Sequence, residues 1–147
     1  MKALPKMQKA ATTPELKNAI EEHIAQTREQ VVRLETVFEL LERKAQAKKC
    51  EAMEGLINEG ESIVEETDAG TVTRDVGIIM AAQKIEHYEI ATYGGLMQIA
   101  AVLEEEEIAT LLNHTLQEEK ETDAGLSNIA KNKVNWKAGE EEEREEE

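Results

Sequence analysis

Residues 71–103 read TVTRDVGIIMAAQKIEHYEIATYGGLMQIAAVL and form one unbroken helical pattern. Apolar side chains recur every three or four residues, which is the spacing of one face of an α-helix. Thr71 or Thr73 is suited to cap its start, because a hydroxyl oxygen accepts a hydrogen bond from a free backbone N–H there. The stretch predicts a helix of about 30 residues, against an average of about 11–12. Its predicted inward positions are Ile78, Ala82, Ile85, Glu89, Leu96, Ile99 or Ala100, and Leu103.

Two further segments carry the same helical period. The first begins at the Thr12–Glu15 cap, in which Thr13 precedes a proline, and it is expected to end in the polar run at 44–49. Its apolar stripe consists of Leu16, Ile20, Ile24, Thr27, Val31, Leu34, Phe38 and Leu41. The last helix is predicted to follow the glutamates at 104–107 and to run to about Trp136. Its stripe consists of Ile108, Leu112, Thr115, Glu119, Thr122, Leu126 and Ile129.

Three long helices with short connections predict an all-α protein, an antiparallel helical bundle whose short extra helix lies at about 50–66. Residues 1–11 have only the length of a helix end, so we expect them to be the remnant of a truncated first helix. The bundle domain is predicted to cover residues 1–138. The tail at 139–147 is predicted to be disordered, because a run of glutamates repels itself and buries nothing.

The composition excludes several classes of partner. The chain has 147 residues, with 17 Lys plus Arg against 32 Asp plus Glu, a net charge of −15. Binding to nucleic acid or to anionic membrane surfaces needs a basic face and is not expected. No run of residues is apolar and long enough to span a membrane. Cys50 is the only cysteine, which fits a reducing compartment, so we expect a cytoplasmic protein.

Carboxylates on the inward helix faces are the candidate functional residues. Glu89 falls on the stripe of the 71–103 helix with Glu86 beside it. Glu119 falls on the stripe of the last helix, and Asp123 follows one turn later. A buried carboxylate is unfavourable unless it is paired, hydrogen-bonded or bound to a metal ion. Because helical bundles hold metal ions with inward acids, and because oxygen ligands suit iron or manganese, the pattern predicts a metal site.

A second interpretation stays open. Since 33% of the residues are charged, these acids could instead lie at the stripe edges and pair with Lys84 or Lys120. His23 and His87 are additional candidate ligands, although a single histidine is more often a hydrogen-bonded packing residue. The sequence assigns no catalytic residue, because it contains no phosphate-binding loop, nucleophile elbow or HExxH motif.

Four segments resemble the YciE/YciF family of bacterial ferritin-like proteins and together extend over nearly the whole chain. They are KALPKM at 2–7, CEAMEGL at 50–56, AQKIEHYEIATYG at 82–94 and TLQEEKETD at 115–123. The resemblance implies a ferritin-like bundle, a homodimer, and a di-iron or di-manganese carboxylate site in a protein of stress responses. The metal ligands that it implies are Glu86, Glu89, Glu119 and Asp123, with His23, Glu54 and His87 as additional candidates.

Two positions depart from the family pattern. Ala25 and Arg28 stand where the resemblance implies ligands, and the family's glutamate on the first helix would precede the segment present here. Alanine offers no ligand atom, and arginine has no acceptor. We therefore expect a partial, degenerate site, with Arg28 supplying a fixed positive charge beside the remaining carboxylates.

Two functions remain open at this point. The first is a metal-binding protein, and as an enzyme it would be a ferroxidase or a peroxide-related oxidoreductase. The second is a non-catalytic helical scaffold or interaction subunit that forms a homodimer or another homo-oligomer. The ligand losses at Ala25 and Arg28 favour the second function. A third interpretation is that the chain is a fragment of a protein that has the whole first helix.

Overall fold

The computed structural model describes residues 2–145, with side chains described as far as residue 141. The described residues form six α-helices and one π-helical turn, and none of them lies in a strand. The elements are α1 (Ala3–Ala10), α2 (Pro14–Leu40), α3 (Glu51–Glu66), α4 (Val72–Val102), α5 (Glu106–Ile129), the π-helical turn Ala130–Val134, and α6 (Asn135–Glu145). The all-α prediction is confirmed. Within residues 2–145, none of the helices combines the length and the apolar character that a membrane span requires.

α5 lies between α2 and α4 and runs antiparallel to both. Along α2, Arg33 contacts Glu118 of α5, whereas His23, further toward the N-terminus, contacts Thr122. α3 covers the first half of α4, also antiparallel to it, and α1 packs on α2. This arrangement places the middle parts of α2, α4 and α5 side by side at the same height along the bundle axis.

Two apolar clusters fill the bundle, and a layer of buried polar side chains separates them. The first cluster is centred on Leu16, Ile20, Ile78, Ile79 and Leu126. The second consists of Val37, Tyr93, Ala100, Ile108, Leu112 and Leu116. Between them along the helices lie the buried residues His23, Gln30, Glu86, Thr115 and Glu119, which we call the polar layer.

The inward faces of α2 and α4 differ from the predicted stripes. Val31 and Leu41 were expected inside, but their side chains are 43% and 44% exposed. Leu16, Ile20 and Ile24 of α2 and Ile78 and Ala82 of α4 are buried as predicted. Other buried positions follow steps of seven residues. They are His23, Gln30 and Val37 of α2, and Ile79, Glu86, Tyr93 and Ala100 of α4. A seven-residue step is the period of helices that coil around each other, and it turns Leu96 and Leu103 outward.

The starts of α2 and α4 are capped in different ways. Thr71 caps α4 as one of the two predicted alternatives, because its Oγ1 accepts a hydrogen bond from the Arg74 backbone N–H at 3.2 Å. Thr13 occupies the cap position of α2, but its side chain makes no capping hydrogen bond. Asp75 of α4 instead accepts the backbone N–H groups of Thr12 and Thr13, the two residues before α2, each at 2.7 Å. The carboxylate therefore ties α4 to the start of α2.

The C-terminal segment also differs from the prediction of a disordered tail at 139–147, because α6 continues as far as Glu145. Glu141 explains part of this order. Its carboxylate accepts the backbone N–H groups of Val72, at 2.8 and 2.9 Å, and of Thr73 at 3.1 Å. A negative charge is favourable at this position, since the free N–H groups make a helix start positive. Residues 146 and 147 lie outside the described residues.

Candidate metal centre

Four potential ligands from three helices meet in the polar layer. His23 comes from α2, Glu86 and Glu89 come from α4, and Glu119 comes from α5. One ligand atom from each residue lies within 4.8 Å of the other three. His23, Glu86 and Glu119 are buried, and Glu89 is half-buried. We call this set the four-residue cluster.

The imidazole of His23 is oriented by its neighbours. Nδ1 lies 3.3 Å from Gln26 Oε1 and 3.3 Å from Thr122 Oγ1. Nε2 faces Glu86 Oε1 at 3.2 Å. Burial lowers the pKa of His23, but the hydrogen bond and the charge of Glu86 outweigh it, so that the pKa is raised above its ordinary value. When Nδ1 carries the hydrogen that is donated to Gln26, the neutral ring has no hydrogen on Nε2. A proton or a cation is then needed between Nε2 and the Glu86 carboxylate.

The carboxyl groups of Glu86 and Glu119 form the most unfavourable contact in the cluster. When both groups are ionised, Glu86 Oε2 and Glu119 Oε2 are buried and lack a hydrogen-bond partner. Burial first, and then the hydrogen bond and charge of Glu86, raise the pKa of Glu119 to about 10. In the absence of a cation, Glu119 therefore keeps a proton at neutral pH and shares it with Glu86.

The same negative charge affects the neighbouring groups. Burial and the charge of Glu86 raise the pKa of Glu89 to about 6. Burial and the charges of Glu89 and Glu119 raise the pKa of Tyr93 to about 12. The cluster thus holds more negative charge than its surroundings stabilise, which is the electrostatic condition that attracts a cation.

A second network holds Glu119 in place from the side of α2. Gln30 donates its Nε2–H₂ group to Glu119 Oε1 and to Glu118 Oε2, the latter at 3.1 Å. Arg33 binds both oxygens of Glu118, at 2.9 and 3.0 Å, and also reaches Thr115 Oγ1 at 2.6 Å. Partial burial raises the pKa of Glu118, but its bonds to Arg33 and Gln30 outweigh this and lower the pKa below its ordinary value. Two adjacent glutamates are therefore held in opposite protonation states.

Residues 1–139 match the family described as a domain of unknown function, DUF892. The chain belongs to the DUF892 family. It is 44% identical to protein YciF of Escherichia coli K12 over 138 residues, which is 93% of this chain and 82% of YciF. The crystal structure of the E. coli stress protein YciF superposes with a TM-score of 0.86 at 42% identity, over 91% of this chain and 84% of that one. YcfI of Rhodopseudomonas palustris superposes with a TM-score of 0.84 at 39% identity, over 88% and 82%.

These matches confirm the family resemblance, and the ferritin-like helical fold with it. Of the ligands predicted for this DUF892 chain, the structure brings together Glu86, Glu89, Glu119 and His23. Asp123 lies outside the cluster. It is one turn beyond Glu119, about 6 Å further along the axis. There its carboxylate accepts a hydrogen bond from Gln83 at 3.0 Å and lies 3.3 Å from the exposed His87.

Glu54 and the two lysines also lie away from the cluster. Glu54 is exposed on α3 and pairs with Lys49 at 2.6 Å. Lys84 pairs with Glu59, and Lys120 is exposed on α5. Lysine partners therefore do not neutralise the inward acids.

The expected role of Arg28 is wrong in this DUF892 chain. Arg28 and Ala25 are both exposed, and Arg28 makes no ion pair with the cluster. They follow His23 by two and five residues, and at about 100° per residue these steps place them on the far side of the helix. The arginine that does reach the polar layer is Arg33, and its partner is Glu118.

Sequence reasoning missed Gln30 and Arg33. The available signal was the spacing, because Gln30 follows His23 by seven residues and Val37 follows Gln30 by seven. Reading α2 with a coiled-coil period would have placed Gln30 inside. A polar side chain at an inward position is otherwise indistinguishable from a surface residue.

Proposed function

We propose that this chain binds one divalent first-row transition-metal ion at the four-residue cluster, and that it acts in a stress response, as the name of its relative YciF describes. One observation carries the proposal. Glu86 Oε2 and Glu119 Oε2 are both buried, no donor from another described residue reaches either of them, and the two residues offer ligand atoms within 4.8 Å of each other. A cation between them would replace the proton that Glu119 otherwise keeps.

The donor set fits this class of ion. One imidazole nitrogen and three carboxylates are ligands that iron and manganese accept. The second ring nitrogen of His23 is already engaged by Gln26, the arrangement that fixes a metal-binding histidine in one tautomer. Thr122 holds Gln26 in turn, by donating its hydroxyl to Gln26 Oε1 at 3.2 Å.

One ion, rather than a pair, fits the surroundings of the cluster. The Gln30 amide occupies Glu119 Oε1, and Arg33 occupies both oxygens of Glu118. Among the described residues, only the four-residue cluster gathers three or more ligands of this kind. A second ion would need carboxylate oxygens that are already committed to donors.

The chain's own residues would perform distinct tasks at such a site. Glu119 exchanges its proton for the ion, Gln26 and Thr122 orient His23, and Gln30 fixes the angle of the Glu119 carboxyl group. Bound iron or manganese would supply Lewis acidity and one-electron redox chemistry in a buried site. The two apolar clusters above and below the polar layer limit access of water to it from the two ends of the bundle.

Manganese titration followed by electron paramagnetic resonance tests the proposal. Free Mn²⁺ gives a sharp signal that disappears on binding, so the wild-type chain should remove it with saturation near one ion per chain. Glu86→Gln and Glu119→Gln should lose this binding, whereas Asp123→Asn, an acid one turn away, should keep it. Equal binding by Glu119→Gln and the wild type, with both variants folded by circular dichroism, would contradict the proposal.

We also propose a homodimer, supported by apolar side chains at one end of the bundle. These side chains lie at the C-terminal ends of α2 and α4 and are 40–81% exposed: Leu40, Leu41, Leu96, Ile99, Val102 and Leu103. Monomeric proteins rarely leave such a group of large apolar side chains in water. A second copy would cover it by presenting the same apolar end. The free thiol of Cys50 fits our proposal that the protein works in the cytoplasm.

A further inference from the structure

A cavity of about 450 Å³ opens between α1, α2, α4 and α5 and reaches inward to the four-residue cluster. Its walls are mainly apolar and come from all four helices: Leu4, Met7, Ile20, Ile85, Leu126 and Ile129. The volume lies within the range of small-molecule sites, about 300–1,000 Å³. The cavity is therefore large enough for a small ligand with an apolar body.

The inner end of this cavity is polar and negative. His23 and Glu86 line it, and Glu86 is only 2% exposed. Apart from the proton shared with Glu119, Glu86 Oε2 has no hydrogen-bond partner. A ligand that reached this oxygen with an N–H group would add a positively charged donor, which a carboxylate oxygen with two lone pairs can accept beside that proton.

The outer rim of the cavity carries the same sign of charge. Glu22 and Glu121 line the cavity and are exposed, and the whole chain has a net charge of −15. Negative charge at both ends attracts a cation and repels a carboxylate or a phosphate. The apolar walls favour a ligand with an apolar body, and the negative charge at both ends favours a cationic head group on it.

We propose that this cavity binds a small apolar molecule with a single ammonium group, an alkylamine, whose head donates hydrogen bonds to Glu86 and whose tail lies along the apolar walls. This site differs from the metal site, although both use Glu86, so the amine and the metal ion compete. The proposal does not depend on metal binding, because it applies to the metal-free chain.

Isothermal titration calorimetry of the full chain in EDTA, with octylammonium as the probe, tests the proposal. Octylammonium should bind saturably at one site per chain, and octanoate, with the same tail and the opposite charge, should bind at least about tenfold more weakly. Glu86→Gln should weaken octylammonium binding about tenfold, since it removes the buried negative charge. Equal affinity for the two probes, or no saturable binding of octylammonium, would overturn the proposal.

A pair of glycine substitutions shows where the probe binds. Gly125 lines the cavity, and a Cβ atom there meets no atom within 4 Å, so that Gly125→Leu should fill the cavity and abolish binding. Gly95→Leu is the matched control, because Gly95 is exposed in α4, has equal space and does not line the cavity. Equal loss in both variants, or equal retention in both, would contradict the assignment. Gly125→Leu should still bind Mn²⁺, which separates this result from a failure of the metal site.

Discussion

Replacing Glu119 by glutamine should stabilise the metal-free protein, although it changes an ionisable group at the centre of the molecule. Glutamine has the same shape, and its Oε1 can accept the hydrogen bond from Gln30 as Glu119 does. Its amide N–H₂ group can donate a hydrogen bond to the Glu86 carboxylate, and this hydrogen is not lost to the solvent as the pH rises. The substitution thus mimics the protonated state of Glu119 at every pH.

The size of the effect follows from the pKa. In the folded chain the pKa of Glu119 is raised to about 10 from an ordinary value of 4.5, because of burial and the neighbouring Glu86. Between these two values the folded state holds a proton that the unfolded state has released. The free energy of unfolding therefore falls as the pH rises, by up to about 1.4 kcal/mol per pH unit. At pH 7 the loss is about 3 kcal/mol, and glutamine avoids it.

Urea unfolding in EDTA at pH 6, 7 and 8 measures this difference. Glu119→Gln should be more stable than the wild type at each pH, with a gap that widens as the pH rises. Glu118→Gln is the matched control, because the adjacent Glu118 is ionised and bound to Arg33. It should destabilise the chain. If Glu119→Gln is no more stable than the wild type, or if its pH dependence is parallel to that of the wild type, the assignment of a buried proton is wrong.

Three further predictions follow from the same contacts. Apparent Mn²⁺ affinity should rise at least about tenfold per unit between pH 7 and 9, because the ion displaces the proton of Glu119 and any proton on His23 Nε2; competition titrations showing a flat profile would contradict this. Asp75→Ala should lower the free energy of unfolding by about 2–4 kcal/mol, since two backbone N–H groups lose a charged acceptor, and a urea midpoint equal to the wild type would refute that role. The wild type should sediment as a dimer and the double variant Ile99→Asp, Val102→Asp as a monomer; a monomeric wild type would exclude the proposed interface.

The fold was predictable where one period holds over a whole helix. The stripe of α5, with Ile108, Leu112, Glu119 and Leu126 buried, matches the prediction because few large apolar side chains compete for the other face. α2 was harder, since Val31 and Leu41 gave a plausible stripe that the seven-residue period excludes. Local spacing does not distinguish these periods until the partner helices are known.

The candidate site was predictable in part. Inward acids on α4 and α5 are visible because a carboxylate on an apolar stripe is conspicuous. Asp123 shares that stripe, and its position one turn too far along the axis shows only in three dimensions. Gln30 and Arg33 act by contacts with α5, which lies more than 80 residues away in sequence. Such contacts depend on the packing of two helices, which no pattern within either helix contains.

Native mass spectrometry after anaerobic loading with Fe²⁺ or Mn²⁺ and desalting tests the central claim most directly, because it counts the ions on each chain. His23, Glu86, Glu89 and Glu119 form one site, and the oxygens beside them are occupied by Gln30 and Arg33. The account predicts one metal ion per chain, lost in Glu119→Gln. Two ions per chain, or none, would contradict it.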